Sequence, residues 1–149
     1  MELEVRKHYT QMTVDEKSFL NSFLTKNYYI GNHALERIKE KNINQDSIMR
    51  AIHNGSIIEW HYKNGNRLLV RGNVNENGYN ICVVLNCDRG NIITVYKNSV
   101  SDNHCTLKEE LYEKDFNIMS KFQLFKNNTY KKTIKNKIIE GDINGFSFS

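Results

Sequence analysis

The sequence contains no proline and only three cysteines among its 149 residues. Without proline, and without a serine-rich stretch, no linker separates the two ends of the chain from its centre, and we expect a single domain. An odd number of cysteines with no secretory leader predicts reduced thiols and a cytoplasmic location. No apolar run is long enough to cross a bilayer, so we expect no membrane-spanning segment.

The motifs of several common chemistries are also missing. No two cysteines have the close spacing of a zinc site and the histidines are scattered, so Cys82, Cys87 and Cys105 are better interpreted as single buried thiols. The glycines occur at turns rather than in a loop that would cradle phosphate, and no serine lies in a nucleophile elbow. The sequence therefore predicts no metal ion and no cofactor.

The charge is modestly basic, with 21 Lys and Arg residues against 17 Asp and Glu residues. This surplus permits nucleic-acid binding, but a solvated surface explains it equally well. Residues 121–137 contain six lysines and no acidic residue. That segment could follow an RNA backbone or meet an acidic protein surface.

The chain divides into parts that differ in their hydrophobic pattern. In the first part, a capping box formed by Thr13 and Glu16 predicts an amphipathic helix that ends near Lys26. Near the other end, apolar residues at helical spacing predict a helix between about Leu107 and Phe125. We expect one domain composed of an N-terminal helical extension, a core, a C-terminal helical extension and a loose tail: residues 1–31, 32–97, 98–140 and 141–149.

The core changes from a helical to a strand-like period along its length. Two helices are predicted, from Asn32 to about Lys41 and from about Gln45 to Asn54, with Gly55 as a left-handed cap. Four strands joined by short turns follow, at Ser56–Tyr62, Arg67–Gly72, Tyr79–Leu85 and Asn91–Lys97. We therefore predict an α+β fold in which two helices pack on a four-stranded antiparallel β-meander, with added N-terminal and C-terminal helices.

His33 and Arg37 are the first pair of residues that could carry chemistry. They are four residues apart, so they lie on one face of the first core helix. A histidine can move a proton near neutral pH, and an arginine presents a fork of donors to phosphate oxygens. Alternatively, His33 is an ordinary surface residue and Arg37 pairs with Glu36 or Glu40.

Strand alternation groups a second set of polar residues. Arg67 and Arg71 share one face of the second strand, and Thr94 and Tyr96 share one face of the fourth. If these two faces coincide, two cations and two hydroxyl groups converge. An antiparallel sheet with one solvated face explains the same pattern equally well. Three further residues are less specific candidates: His53, Trp60 and His61.

Five segments of the core follow one another in a recognisable order. They are His33-Ala34-Leu35-Glu36-Arg37, Gly55-Ser56-Ile57-Ile58-Glu59, Arg67-Leu68-Leu69-Val70-Arg71-Gly72, Ile81-Cys82-Val83-Val84-Leu85 and Ile92-Ile93-Thr94-Val95-Tyr96. Over about 65 residues this order resembles an uncharacterised family of small bacterial domains related to the BrnT and RelE toxins. The resemblance does not extend to residues 1–31 or to most of residues 98–149.

The resemblance implies the barnase–EndoU–colicin–RelE type of fold and a ribonuclease that needs no metal. In such enzymes the 2′-hydroxyl attacks the adjacent phosphate, which requires a base, an acid and cations around the phosphate. Carried over by position, His33 is the base or acid, Arg37 and Arg67 hold the phosphate, and Thr94 and Tyr96 orient or donate. Residues expected to bind the nucleic acid around this site are Arg71, Lys97, Lys121, Lys126, Lys131 and Lys132.

Two functions of different classes follow from these observations. The first is a metal-independent endoribonuclease, a toxin or phage–host conflict protein, whose partners are RNA and a neutralising antitoxin. The second is a non-enzymatic binding protein that reuses the fold, such as a phage-encoded inhibitor of a host defence complex or a nucleic-acid-binding regulator. A helix-turn-helix at residues 32–54 is disfavoured, because strands follow it directly and its second helix has few basic residues.

Overall fold

The computed structural model describes residues 4–74, 78–99, 112–113, 115–124 and 126–127. These residues form an α+β fold with a seven-stranded mixed sheet. The helices are α1 (Val14–Asn21), α2 (Asn32–Glu40), α3 (Gln45–Asn54) and a C-terminal helix at residues 118–124. The strands are β1 (Glu4–His8), β2 (Tyr29–Ile30), β3 (Ser56–Tyr62), β4 (Asn66–Val74), β5 (Tyr79–Asn86), β6 (Asn91–Ser99) and β7 (Tyr112–Glu113).

The strands lie side by side in the order β2-β6-β5-β4-β3-β1-β7. Strands β3 to β6 pair antiparallel in succession, and β1 pairs antiparallel with β3. The short edge strands β2 and β7 are parallel to β6 and β1. The predicted α+β class is confirmed. The sheet is larger than the four strands predicted, because segments on both sides of the core add strands to its edges.

Helices cover one face of the sheet, which we call the helix face. Apolar side chains at alternate strand positions form the core there: Trp60, Leu68, Val70, Ile81, Val83, Leu85, Ile92 and Val95. Helix α2 contributes Ile38 to this core, and α3 contributes Ile48 and Ile52. The intervening strand positions point to the opposite side, which we call the polar face because most of its residues on β1, β3 and β4 are charged or polar.

Glycines allow α3 to lie close to β4. A Cβ added at Gly72 would be 2.5 Å from the Cβ of Ala51 on α3. Gly55, predicted as a left-handed cap, instead has an extended backbone with φ −84°. A Cβ at that position would be 2.7 Å from the carbonyl oxygen of Arg71. The close approach of helix and strand therefore explains both glycines, and a positive φ does not.

The predicted capping box at the start of α1 is confirmed. The backbone N–H of Glu16 donates to the Thr13 hydroxyl at 3.1 Å, and the Thr13 N–H donates to the Glu16 carboxylate at 2.8 Å. A 3-10 turn, Ser22–Thr25, continues α1 toward Lys26. The extension before the core is nevertheless not purely helical as predicted, because β1 and β2 belong to it.

A buried ion pair joins β1 and α1 to the C-terminal segment. Lys7 Nζ donates to both carboxylate oxygens of Glu16 at 3.0 and 2.9 Å, and to the carbonyl oxygen of Phe116 at 2.9 Å. The Ile118 N–H donates to the same carboxylate at 2.8 Å. These hydrogen bonds lower the pKa of Glu16 even though burial alone would raise it. Such an ion pair is stable only because its remaining donors and acceptors are satisfied.

The C-terminal helix is also held by Phe122 and by an amide network beneath it. The Phe122 ring packs on Phe19 and Phe23, with centroids 5.2 and 4.9 Å apart. Its carbonyl oxygen accepts from Asn66 Nδ2 at 3.0 Å, and Asn66 Oδ1 accepts from Trp60 Nε1 at 3.2 Å. The predicted helix between Leu107 and Phe125 is corrected in part, because 112–113 is a strand and the helix begins at 118. Residues 107–111 and the predicted tail, 141–149, lie outside the described residues.

Candidate functional site

The residues predicted to form one site lie on opposite sides of the sheet. His33 and Arg37 are exposed on α2, which packs on the helix face beside β6. Arg37 Nε donates to His33 Nε2 at 3.2 Å, so the two residues do meet on one helical face as predicted. Arg67, in contrast, belongs to the polar face, with the sheet between it and this pair.

The register of the central strands brings the remaining predicted residues onto the polar face. Val84 pairs with both Leu69 and Thr94, and Cys82 pairs with both Arg71 and Tyr96. Directly opposed residues of antiparallel strands share a face, so both arginines and both hydroxyl groups point to the same side. Because β5 lies between β4 and β6, the backbone of the arginines on β4 is about 10 Å from the backbone of the hydroxyl residues on β6.

His61 is the histidine that the fold places beside Arg67. The two residues are direct cross-strand partners on β3 and β4, and Arg6 on β1 is the partner of His61 on its other side. Arg6 Nη2 lies 3.3 Å from each ring nitrogen of His61. Burial, together with the positive charges of Arg6, Arg67 and Lys63, lowers the pKa of His61 to about 4. The ring is therefore neutral at neutral pH.

Glu59 provides the negative charge at this end of the polar face. Its carboxylate lies 3.4 Å from Arg6 Nε, and the side chain is largely buried. Its cross-strand partner on β1 is His8, a buried residue whose side chain accepts the N–H of Thr10 at the start of a 3-10 turn. Because Glu59 is close to Arg6, Arg6 is partly neutralised and Arg67 is not.

Arg67 and Arg71 differ in the hydrogen bonds that their side chains make. Arg71 Nη2 donates to the side-chain oxygen of Asn80 and to the carbonyl oxygen of Ser99, both at 3.0 Å. Arg67 makes no hydrogen bond or ion pair with any part of the chain that the structure describes. Burial and the nearby positive charge of Arg89 lower the pKa of Arg67. Arg67 is thus a partly buried cation with no counter-charge among the described residues.

Those of the predicted nucleic-acid-binding lysines that the structure describes do not join this group. Lys97 pairs with the core residue Ile81, so it points to the helix side at the end of β6. Lys121 is half-buried on the C-terminal helix, and Lys126 is exposed in its continuation at residues 126–127. Lys131 and Lys132 lie outside the described residues.

His61 and Arg6 are candidate functional residues; sequence patterns indicated His61 only weakly and did not indicate Arg6. A hairpin centred on Asn64, whose φ is 55°, places His61 opposite Arg67, so this pair could have been found from the predicted turn. Nothing in the sequence indicates that Arg6 reaches β3, because 55 residues separate Arg6 from His61.

Two further findings concern the part of the chain that the structure describes. No three His, Cys, Asp or Glu side chains in it are grouped so that they could hold a metal ion. None of its helices has the length and apolarity needed to span a membrane.

Comparison with known proteins gives one family match. Residues 30–97, less than half of the chain, match a domain of unknown function, DUF4258. The matched segment contains α2, α3 and the strands β3 to β6, whereas β1, α1 and the C-terminal helix lie outside it. No curated protein and no solved structure matches the chain.

Proposed function

We propose that the protein is a metal-independent ribonuclease that cleaves RNA on the polar face of its sheet. In this proposal α2, α3 and β3 to β6 are a unit related to the BrnT and RelE toxins, which is supported by the order of the shared motifs. The observation that carries the proposal is the placement of His61 between Arg6 and Arg67. This arrangement supplies a proton acceptor and two cations at one point.

The reaction begins when neutral His61 accepts the proton of a ribose 2′-hydroxyl. The 2′-oxygen then bonds to the adjacent phosphorus while the bond from phosphorus to the 5′-oxygen breaks. The leaving oxygen takes a proton from solvent, since Tyr96 aligns with Arg71, four residues along the strand from Arg67, and the products are a 2′,3′-cyclic phosphate and a 5′-hydroxyl. A phosphate bound by Arg6 and Arg67 offsets their charge, so it raises the basicity of His61 when substrate is present.

Cleavage of RNA in EDTA by variants of the two histidine sites tests this proposal. His61→Ala and Arg67→Ala should lose activity, whereas the matched variants His33→Ala and Arg37→Ala on α2 should retain it. The reverse result would assign the chemistry to α2. If the wild type cleaves neither total RNA nor ribosome-bound mRNA, the enzyme proposal fails.

A non-enzymatic binding protein is the second candidate function. It is favoured by the separation of the exposed His33–Arg37 pair from Arg67, Thr94 and Tyr96, since one catalytic site cannot use residues on both sides of a sheet. In this case α2 offers a contact surface to a neutralising antitoxin or host protein. A pull-down in which wild type and His61→Ala retain a partner that Arg37→Ala loses would support it, and recovery of no partner by the wild type would count against it.

A further inference from the structure

Arg67 lies in a local excess of positive charge that the residues described in the structure do not neutralise. Together with burial, the positive charge of Arg89 lowers the pKa of Arg67. The positive charges of Arg6 and Lys63 contribute to the lowered pKa of the adjacent His61. A partly buried guanidinium without a carboxylate destabilises the fold, because desolvation is not offset by an ion pair. An unfavourable charge arrangement of this kind is typical of a site that binds an anion.

Two carboxylates at neighbouring positions of the strands and turn, those of Glu59 and Asp88, have other partners. Glu59 lies against Arg6, at 3.4 Å from its Nε. Asp88 accepts three hydrogen bonds from the backbone and side-chain nitrogens of Asn66, at 2.8, 3.1 and 3.3 Å. Neither acid is therefore available to Arg67, although both are close to it along the strands and turn.

Arg89 is held beside Arg67 by the turn between β5 and β6. Asn86 is the cross-strand partner of Arg67, and its side-chain oxygen accepts the backbone N–H groups of Asp88 and Arg89, both at 3.0 Å. The Arg89 side chain is exposed, and no described residue forms an ion pair or hydrogen bond with it. The turn thus presents a second guanidinium next to the first.

We infer that Arg67 and Arg89 form a phosphate-binding subsite at the end of β4, adjacent to His61. Two guanidinium forks with no side-chain partner among the described residues match the several oxygens of a phosphate group better than they match a single carboxylate. This inference deepens the proposed function and rests on it for its role, since the subsite adds Arg89 to the cations that hold the RNA phosphate being cleaved. The binding of phosphate itself does not depend on cleavage.

Inorganic phosphate, added at constant ionic strength against chloride, is the probe for this subsite. NMR of the His61 ring and thermal unfolding report binding without any RNA. Phosphate should shift the His61 resonances and raise the melting temperature of the wild type. Arg89→Gln should weaken phosphate binding about tenfold, and Arg67→Gln should weaken it at least as much.

Arg50→Gln is the matched control, since Arg50 is exposed on α3 and contacts only Ser47 among the described residues. It should leave phosphate binding unchanged. Arg89→Gln should also raise the stability of the phosphate-free protein, because it removes a positive charge that repels Arg67. If Arg89 were only structural, its replacement would not both weaken phosphate binding and raise stability. Because Arg89 is exposed, this variant should fold even if Arg67→Gln does not.

The possible outcomes distinguish phosphate binding at the subsite from RNA cleavage by the protein. Phosphate binding that Arg89→Gln weakens and Arg50→Gln does not supports the subsite, whether or not RNA is cleaved. The inference is overturned if phosphate does not bind to the wild type, or if Arg89→Gln and Arg50→Gln affect binding equally. A protein that cleaves RNA through His61 but fails the phosphate test would retain the proposed function and lose the subsite.

Discussion

Acidification should destabilise the protein through His61, whose ring stays neutral in the fold at pH values where the unfolded chain protonates it. Burial, Arg6, Arg67 and Lys63 lower the pKa of His61 from 6.5 to about 4. The contribution of this residue to the free energy of unfolding is therefore complete above pH 6.5 and is lost as the pH falls toward 4. At 1.36 kcal/mol per pKa unit, the loss is about 1.4 kcal/mol at pH 5.5 and about 2.6 kcal/mol at pH 4.5.

Urea denaturation of the wild type, His61→Gln and His33→Gln between about pH 7.5 and 4.5 measures this effect. The wild type should lose about 2.6 kcal/mol more than His61→Gln over this range, because glutamine has no titrating ring. His33→Gln, on the exposed side of α2, should follow the wild type. If the wild type and His61→Gln have parallel pH profiles, His61 titrates alike in the folded and unfolded states and the inferred cationic environment is incorrect.

Two further predictions concern the packing of the fold. Glu16→Gln should lower the free energy of unfolding by about 3–5 kcal/mol, since it leaves the Lys7 ammonium buried without the Glu16 counter-charge. Replacement of the exposed Asp15 by Asn is the control and should have a much smaller effect in the same urea titration. Gly72→Ala should cost about 1–3 kcal/mol, because its Cβ would overlap α3. Gly31→Ser, where an added Cβ would meet nothing within 4 Å, is its control, and equal effects of the two glycine changes would contradict the close approach of α3 and β4.

Sequence patterns predicted those elements of the fold whose structure is determined by residues close together in the chain. The Thr13–Glu16 capping box was predictable because its four residues determine its geometry by themselves. Strand β1 was not predictable from its sequence, because Lys7 is a poor candidate for a buried strand position. Its burial depends on Glu16 and on the carbonyl group of Phe116, 109 residues away, and no periodicity of a five-residue segment indicates such partners.

The candidate site was predicted in pieces and not as a whole. A spacing of four residues correctly placed His33 and Arg37 together. Alternation correctly placed Arg67 with Arg71 and Thr94 with Tyr96, but only the register of the strands showed that the two faces coincide. Neither rule indicates which face of the sheet α2 covers, since this depends on tertiary packing of Ile38. The geometry of the complete sheet was needed to replace His33 with His61 beside Arg67.

The hydrogen bonds that join Lys7, Glu16 and Asn66 to residues 116–122 also set the order in which the chain can fold during synthesis. Until residue 118 leaves the ribosome, the Glu16 carboxylate lacks the Ile118 N–H and the core beside Trp60 lacks the Phe116 and Phe122 rings. The segment that matches DUF4258 is therefore translated completely while the layer that covers part of its core is still missing. We therefore expect folding of this core to finish only after the C-terminal helix has been made.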